Sequence, residues 1–436
     1  MTLTSGSPGV RGRVRGEGGD TDRLATRPET GRADVWGWVR AVLDRPMTSF
    51  HLVVAAAGLL LGLGVLMVLS ASSVVALESF GDAYYYVKRQ VVFLLVGLVG
   101  AVVAATLPPS RIRLVAWPAL FLACVLLILT YTPLGVTVGG NRNWLRLGTA
   151  ALQIQPSEFA KLALIVWAAD VLARKEKLLD QPKHLLIPFL PVSAIVILLI
   201  VFQGDAGTAV VVAGIVAAIL WIVGAPTRVL LGLGVGGGLG VVGLFVTSPN
   251  RMARLNAFLN PTHDVDGTNL QSTVATLAIA SGGWWGLGLG ASRQKWGSLP
   301  VAYSDYIFAV IGEELGLVGS LMVLLLFLVL GYAGIRIALR STESFNRYVS
   351  AGITAWFMVQ ALINLGVVLR LMPIAGVPLP MVSYGGSALI ANTLALGLLV
   401  SCARREPAAL EALGARRAKH RPAMTTVVGS RGGRRR

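Results

Sequence analysis

The chain has 436 residues, of which 55% are hydrophobic and only 14% charged, with a mean hydropathy of +0.71. That balance excludes an ordinary set of soluble domains and implies an integral membrane protein. The net charge of +17 would suit nucleic acid, but the cations alternate by loop, as topology and attraction to anionic membrane lipids require, so no nucleic-acid partner is expected.

Residues 1–49 mix Gly, Ser, Thr, Arg and acidic residues without periodicity. Such a stretch buries too little apolar surface to order itself and is expected to be a disordered basic cytoplasmic tail. Ten apolar runs follow, at 50–71, 91–107, 114–131, 158–173, 185–202, 207–224, 228–247, 306–333, 347–369 and 384–402. Each reads as a transmembrane helix, so residues 50–405 are expected to form an all-α integral membrane protein of ten spans. Arg111, Arg113, the 174–183 cluster, Arg336, Arg340 and the residues from Arg404 onward fall on the side of the tails, which puts both termini in the cytoplasm. Residues 406–436, with a short amphipathic stretch at 407–419, form a second basic cytoplasmic tail. Cys124 and Cys402 and the four histidines are scattered, so spacing implies neither a disulfide nor a zinc site.

The segments on the far side carry the polar signals. In the 131–157 loop, Ser157 is placed to cap the fourth span and Glu158 lies near its positive end. Lys161 sits one turn deeper on the same face, and the pair reads equally as a structural ion pair or as a functional group inside a span. Asp205, between the fifth and sixth spans, is either a helix cap or a site residue. The largest loop, 247–304, opens with Arg251 and Arg254 on one helical face, turns through Asp264, Asp266 and Gly267, and becomes apolar from Leu270 to Ile279. That last piece is too short to span and is expected to be a re-entrant or interfacial helix between helices 7 and 8. The glycines between Gly232 and Gly243 are expected to let neighbouring helices approach the seventh span closely. Finally, Pro373, Gly376, Pro378 and Pro380 stiffen the last loop, and Ser383, Gly385 and Gly386 open the tenth span with backbone N–H groups suited to a phosphate.

Arg142, Arg146, Lys161, Arg251, Arg254, Arg293 and Lys295 thus face away from the cytoplasm, against the cheap rule of topology. They suit an anionic, phosphate-bearing substrate, with Glu158, Asp205, Asp305 and Glu313 available for proton transfer. Asp305 is the best base, because desolvation at a membrane surface raises its pKa while nearby cations hold it ionised. The competing role for Asp305 is to cap the eighth helix beside Ser304.

Several runs carry a resemblance: Gly140-Asn141-Arg142-Asn143-Trp144, Gln155-Pro156-Ser157-Glu158-Phe159-Ala160-Lys161, Arg251-Met252-Ala253-Arg254-Leu255, Ser304-Asp305-Tyr306-Ile307-Phe308, Gly312-Glu313-Glu314-Leu315-Gly316 and Ser383-Tyr384-Gly385-Gly386-Ser387. Together, over residues 50–405, they resemble the SEDS family (FtsW, RodA, SpoVE), with the stretch from Arg293 to Gly297 most similar to the cell-division branch of actinobacteria. The resemblance implies a peptidoglycan glycosyltransferase that polymerises lipid II, a disaccharide-pentapeptide on undecaprenyl pyrophosphate. The work would be done at the outer face of a bacterial cytoplasmic membrane, at the division septum. It implies a class B penicillin-binding protein (an FtsI-like transpeptidase) and other division proteins as partners, and a divalent cation, Mg or Mn, with unknown ligands. Asp305 matches the family's essential aspartate and would deprotonate the acceptor hydroxyl. Arg142, Lys161, Arg251 and Arg254 would neutralise the leaving pyrophosphate.

The chain departs from the family pattern at Val301 and Tyr303, where a Glu and a His are usual. A glutamine pair of the short helix survives only as Gln271, with Val274 at the second position, and Gly204 replaces a proline before Asp205. Two other readings use the same features: a lipid II flippase with the same polar cavity, and a division-complex scaffold working through its basic tails.

Overall fold

The apolar runs become helices, and most extend past the hydropathy limits because polar residues continue the turn at their ends. The computed structural model describes residues 37, 43–146, 148, 153–179, 181–246, 249–260, 269–296, 299 and 302–419. The described residues from Pro46 onward form one compact unit. Most of the expected N-terminal tail, and residues 420–436, lie outside the described residues.

Helices α1 (Thr48–Phe80), α2 (Tyr85–Thr106) and α3 (Pro109–Leu129) come first, followed by strands β1 (Gly135–Val138), β2 (Asn141–Arg146) and β3 (Gln153–Ile154). Next are α4 (Pro156–Arg174), α5 (Pro182–Leu186), α6 (Phe189–Phe202), α7 (Ala206–Val223), α8 (Thr227–Val246), α9 (Pro249–Leu259) and α10 (Leu270–Gly282). The chain ends with α11 (Ile307–Arg340), α12 (Ser344–Val368), α13 (Gly386–Ala403) and α14 (Pro407–Lys419). Among the described residues, eight helical segments are long and apolar enough to cross a membrane. The expected spans 158–173 and 228–247 do not reach that standard. α4 carries Glu158, Lys161 and Asp170 in its body, all at most 1% exposed. A helix so charged lies among other helices and not against lipid.

The small sheet was not foreseen. Gly139 and Gly140 both take positive φ, as a two-residue hairpin turn requires. β1 and β3 both pair antiparallel with β2, with Val136 opposite Trp144 and Leu145 opposite Ile154. Alternation along β2 then turns Asn143 and Leu145 inward and leaves Arg142 and Arg146 exposed.

Lipid supplies no hydrophobic drive between helices, so close packing of small residues must. α13 presses on α2, where a Cβ on Gly397 would run into the carbonyl of Ala101 and one on Gly386 into the ring of Phe93. The glycines of α8 behave otherwise. No neighbour comes within 4 Å of a Cβ built on any of them from Gly232 to Gly243, so the expected close approach is not made there.

α11 is broken at Gly316, which has φ 68° and ψ −163°. The freed carbonyls of Glu313 and Glu314 accept from the N–H groups of Leu287 (2.9 Å) and Gly288 (3.0 Å), while Leu317 and Val318 donate to the carbonyls of Gly283 (2.9 Å) and Trp284 (3.3 Å). The backbone debt of the break is thereby met within the protein, as membrane depth demands. A Cβ on Gly316 would collide with the N of Gly286 and the carbonyl of Trp284. Gly316→Ala is therefore expected to cost at least about 2 kcal/mol from backbone strain and overpacking, seen as a lower unfolding midpoint in detergent. An unchanged midpoint would show that the break tolerates a side chain.

Candidate functional site

Asp305 ends a turn that leads into α11, and the loop between α12 and α13 fastens that turn from its other side. Asn364, buried in α12, donates Nδ2 to the carbonyls of Asp305 (2.7 Å) and Val377 (2.8 Å). Ser383 donates Oγ to the carbonyl of Ser304 (2.7 Å) and accepts from Leu379 N (2.8 Å), and Tyr384 N donates to the carbonyl of Tyr303 (3.0 Å). The position of the carboxylate is thus set by backbone anchors. Its Oδ1 accepts from Ser304 Oγ at 3.1 Å, and among the described residues Oδ2 has no protein donor. Gly376 comes so near that a Cβ there would lie 3.8 Å from Oδ2. Burial pushes the Asp305 carboxyl above its ordinary value; the Ser304 hydrogen bond opposes the shift, the Asp205 charge adds to it and the Arg254 charge opposes it. The helix-cap alternative finds no support, since the residue flanking α11 is Tyr306 and no side chain caps that end.

Asp205 caps α7. Its Oδ1 accepts from Thr208 N at 3.0 Å, and its Oδ2 from Asn143 Nδ2 (2.8 Å) and Gln155 Nε2 (3.2 Å). The inward face of β2 and the residue before α4 are therefore tied to the start of α7, and Gln155 N is tied through Ser387 Oγ (3.1 Å) to α13. Ser157 does not cap α4. Gln155 holds the N-cap position, with no side-chain cap bond, and Ser157 lies inside the first turn with its Oγ unpartnered. The reason is Pro156, which takes the first helical position and leaves Ser157 two places too deep.

Lys161 is 1% exposed. Its Nζ donates to Glu158 Oε1 and to Gln360 Oε1, each at 2.8 Å, and stands 4.8 Å from the centre of the Trp356 ring. Gln360 in turn donates to the carbonyl of Pro378 at 2.9 Å. The pair foreseen from sequence exists and is wired through α12 to the loop that holds Asp305.

Other candidates sit elsewhere. Lys295 is buried against Glu314 (3.3 Å) and donates to the carbonyl of Gly290 (2.7 Å). Glu314 also accepts from Ser70 Oγ of α1, and Glu313 from Ser292 Oγ (2.5 Å) and Arg293 N (2.9 Å). This cluster staples the 286–295 segment onto the break in α11. Arg142 is exposed and donates to the carbonyl of Thr132 (2.8 Å). Gln271 lies half-buried in the first turn of α10, Gly385 precedes α13 in extended backbone at φ 174°, and Gly386 serves the α2 contact. The side chain of Arg251, the turn at Asp264 to Gly267, and Val301 lie outside the described residues.

Gln360, Asn364 and Arg370 were missed. The signal for the first two was present: amides four residues apart on one face of an otherwise apolar helix. Glu158 Oε2, Asn143 Oδ1 and Asn364 Oδ1 are buried without partners, and unmet buried acceptors mark where water or ligand hydroxyls belong. Among the described residues no three His, Cys, Asp or Glu side chains converge as metal ligands. With Asp205, Glu158, Glu313 and Glu314 already engaged, the side chains alone do not fit a resident ion.

Helices of this length around a polar, carboxylate-bearing end define a multi-pass membrane protein with a site at one end of its bundle. The chain belongs to the FtsW, RodA and SpoVE family of cell cycle proteins, whose model matches residues 50–407. It is 39% identical over 415 residues to a probable peptidoglycan glycosyltransferase FtsW of Mycobacterium bovis, covering 95% of this chain and 78% of that protein. To the stage V sporulation protein E of Bacillus subtilis it is 37% identical, covering 79% of this chain and 94% of that protein. Among solved structures it resembles a chain from work on the structural coordination of polymerization and crosslinking by a peptidoglycan synthase complex, with TM-score 0.65, 28% identity and coverage of 81% of this chain and 97% of that one. It also resembles RodA of Thermus thermophilus, with TM-score 0.58, 29% identity and coverage of 84% and 98%.

Proposed function

We propose that the chain is a peptidoglycan glycosyltransferase that polymerises lipid II into β-1,4-linked glycan strands at the outer face of a bacterial cytoplasmic membrane, for septal wall synthesis. In this reading α4 and α8 join the eight apolar segments to make ten spans, with both termini in the cytoplasm. The carrying observation is Asp305, a carboxylate with one oxygen left open in a turn fixed by Asn364 and Ser383. Asp305 takes the proton of the acceptor 4-hydroxyl as that oxygen attacks the donor's anomeric carbon and the lipid pyrophosphate departs. Arg254, close enough to act on the Asp305 charge, offsets the charge that develops on the leaving group. A Mg or Mn ion would have to be completed by the donor's own phosphates, which is how such ions are commonly held. A class B penicillin-binding protein as partner accords with the synthase-complex neighbour.

The test is labelled lipid II incubated with the purified chain, alone and with its penicillin-binding partner. Glycan ladders support the reading; translocation in proteoliposomes without ladders would move it to the flippase. Because burial holds the Asp305 carboxyl above 3.8, the acid limb of the kcat/KM profile should lie above that pH. The active form is the proton-free one, so activity is present above the raised pKa and is lost as pH falls through it. A limb at or below 3.8 would remove Asp305 as the base.

A further inference from the structure

Arg370 occupies a position that its backbone would rather give to glycine. α12 ends with Arg370 N donating to the carbonyl of Val367 (3.1 Å) and Leu371 N to that of Gly366 (2.7 Å), a helix stop whose left-handed residue is ordinarily Gly or Asn. Here that residue is an arginine at φ 60°, a conformation that side chains rarely adopt. A cation at a helix C-terminus gains from the dipole, but any last-turn position would supply that without the strain. One guanidinium nitrogen of Arg370, Nη2, is buried and has no hydrogen-bond partner. An unmet buried donor of this strength costs stability unless something binds it.

The surroundings point to what binds. Arg370 lines a cleft with Arg254, Ser272, Asn269, Phe258 and Pro373, six residues before Gly376, where an added Cβ would lie 3.8 Å from Asp305 Oδ2. Arg254 from α9 reaches the same cleft and acts on the charge of Asp305. The phenol of Tyr306 is 2% exposed, and its hydroxyl, near Ser272, makes no hydrogen bond of normal geometry. The cleft itself has space for about one water, roughly 10 Å³, which Nη2 would hold, so a larger ligand would meet the rest of the half-buried Arg370 fork at the cleft's mouth. Two guanidinium groups from separate elements line this one cleft, and one of them, Arg254, is near enough to act on the Asp305 charge; their planar forks match phosphate oxygens.

We propose that Arg370, with Arg254, is the clamp for a pyrophosphate group at the mouth of this cleft, and that Arg370 positions the lipid-linked donor in the polymerisation reaction. This rests on the glycosyltransferase reading above. A pyrophosphate brings two charged phosphates to the two guanidinium groups, whereas the phosphodiester of a bilayer lipid brings one.

The experiment uses the full chain in nanodiscs, with Arg370→Gly and Arg370→Lys. Glycine suits φ 60°, so Arg370→Gly should fold with an unfolding midpoint no lower than wild type. Its KM for labelled lipid II is expected to rise about tenfold, the factor of one charge-assisted hydrogen bond, with kcat changed less than about twofold; Arg370→Lys should fall between the two. In neutral-lipid nanodiscs, inorganic pyrophosphate should raise the wild-type midpoint, and Arg370→Gly should need about tenfold more of it. Unchanged KM and unchanged pyrophosphate response in Arg370→Gly overturn the proposal, as does a midpoint that responds to phosphatidylglycerol in the disc but not to pyrophosphate. If wild type makes no polymer, the function reading fails by itself and the pyrophosphate response still decides the clamp.

Discussion

Asp305→Asn is expected to lower lipid II polymerisation by about 10²- to 10⁴-fold, the usual worth of a general base, while the protein folds and binds its partner as before. The substitution is nearly isosteric, and the backbone bonds that fix the turn run from Asn364 and Ser383 to carbonyls, which the change does not touch. Ser304 Oγ still has an amide oxygen to meet at the place of Oδ1. What disappears is the proton-accepting oxygen facing Gly376, and with it the acid limb of the pH profile. Polymerisation assays on wild type and variant, with partner binding and unfolding midpoints measured in parallel, give the result. Activity within a few-fold of wild type would put the base elsewhere.

Lys161→Met should have the second largest effect, on the fold. Nζ of Lys161 is fully buried with both hydrogen bonds inside the protein, so methionine fills the space but leaves Glu158, itself 1% exposed, as an unpaired buried charge. Breaking one side of a buried pair costs about 3–5 kcal/mol, whereas replacing both sides is often nearly neutral. The single variant should give little monodisperse protein on size exclusion, and Glu158→Gln with Lys161→Met should recover much of it. A Lys161→Met protein that is stable but inactive would instead make Lys161 a substrate contact, as the family resemblance implied.

The apolar runs marked nearly every long helix, because burial in lipid writes itself as composition. The site was legible where chemistry is local: Glu158 and Lys161 one turn apart, Asp205 before a helix, Asp305 at a helix start. It was illegible where partners come from afar. Nothing near Lys295 in sequence announces that it will meet Glu314 and Ser70, and nothing near Asp305 announces Asn364. Ser157 does not cap because Pro156 starts the helix two residues earlier. The hairpin was readable from two glycines between alternating residues, Val136 to Val138 and Asn141 to Leu145, although the polar residues of that loop also carry a site-like pattern. The glycines of α8 misled differently, since small residues permit an approach without causing it.

The break at Gly316 has a consequence for exchange with solvent deuterium. In an intact span each amide is held by the same helix, and opening frays inward from the ends. Here the amides of Leu287, Gly288, Leu317 and Val318 are held across two chain segments, so none is released unless the 283–288 segment lifts off α11. The four should exchange at one common rate, as a single cooperative unit, and that rate would report how often the 283–288 segment lets go of the helix that follows Asp305.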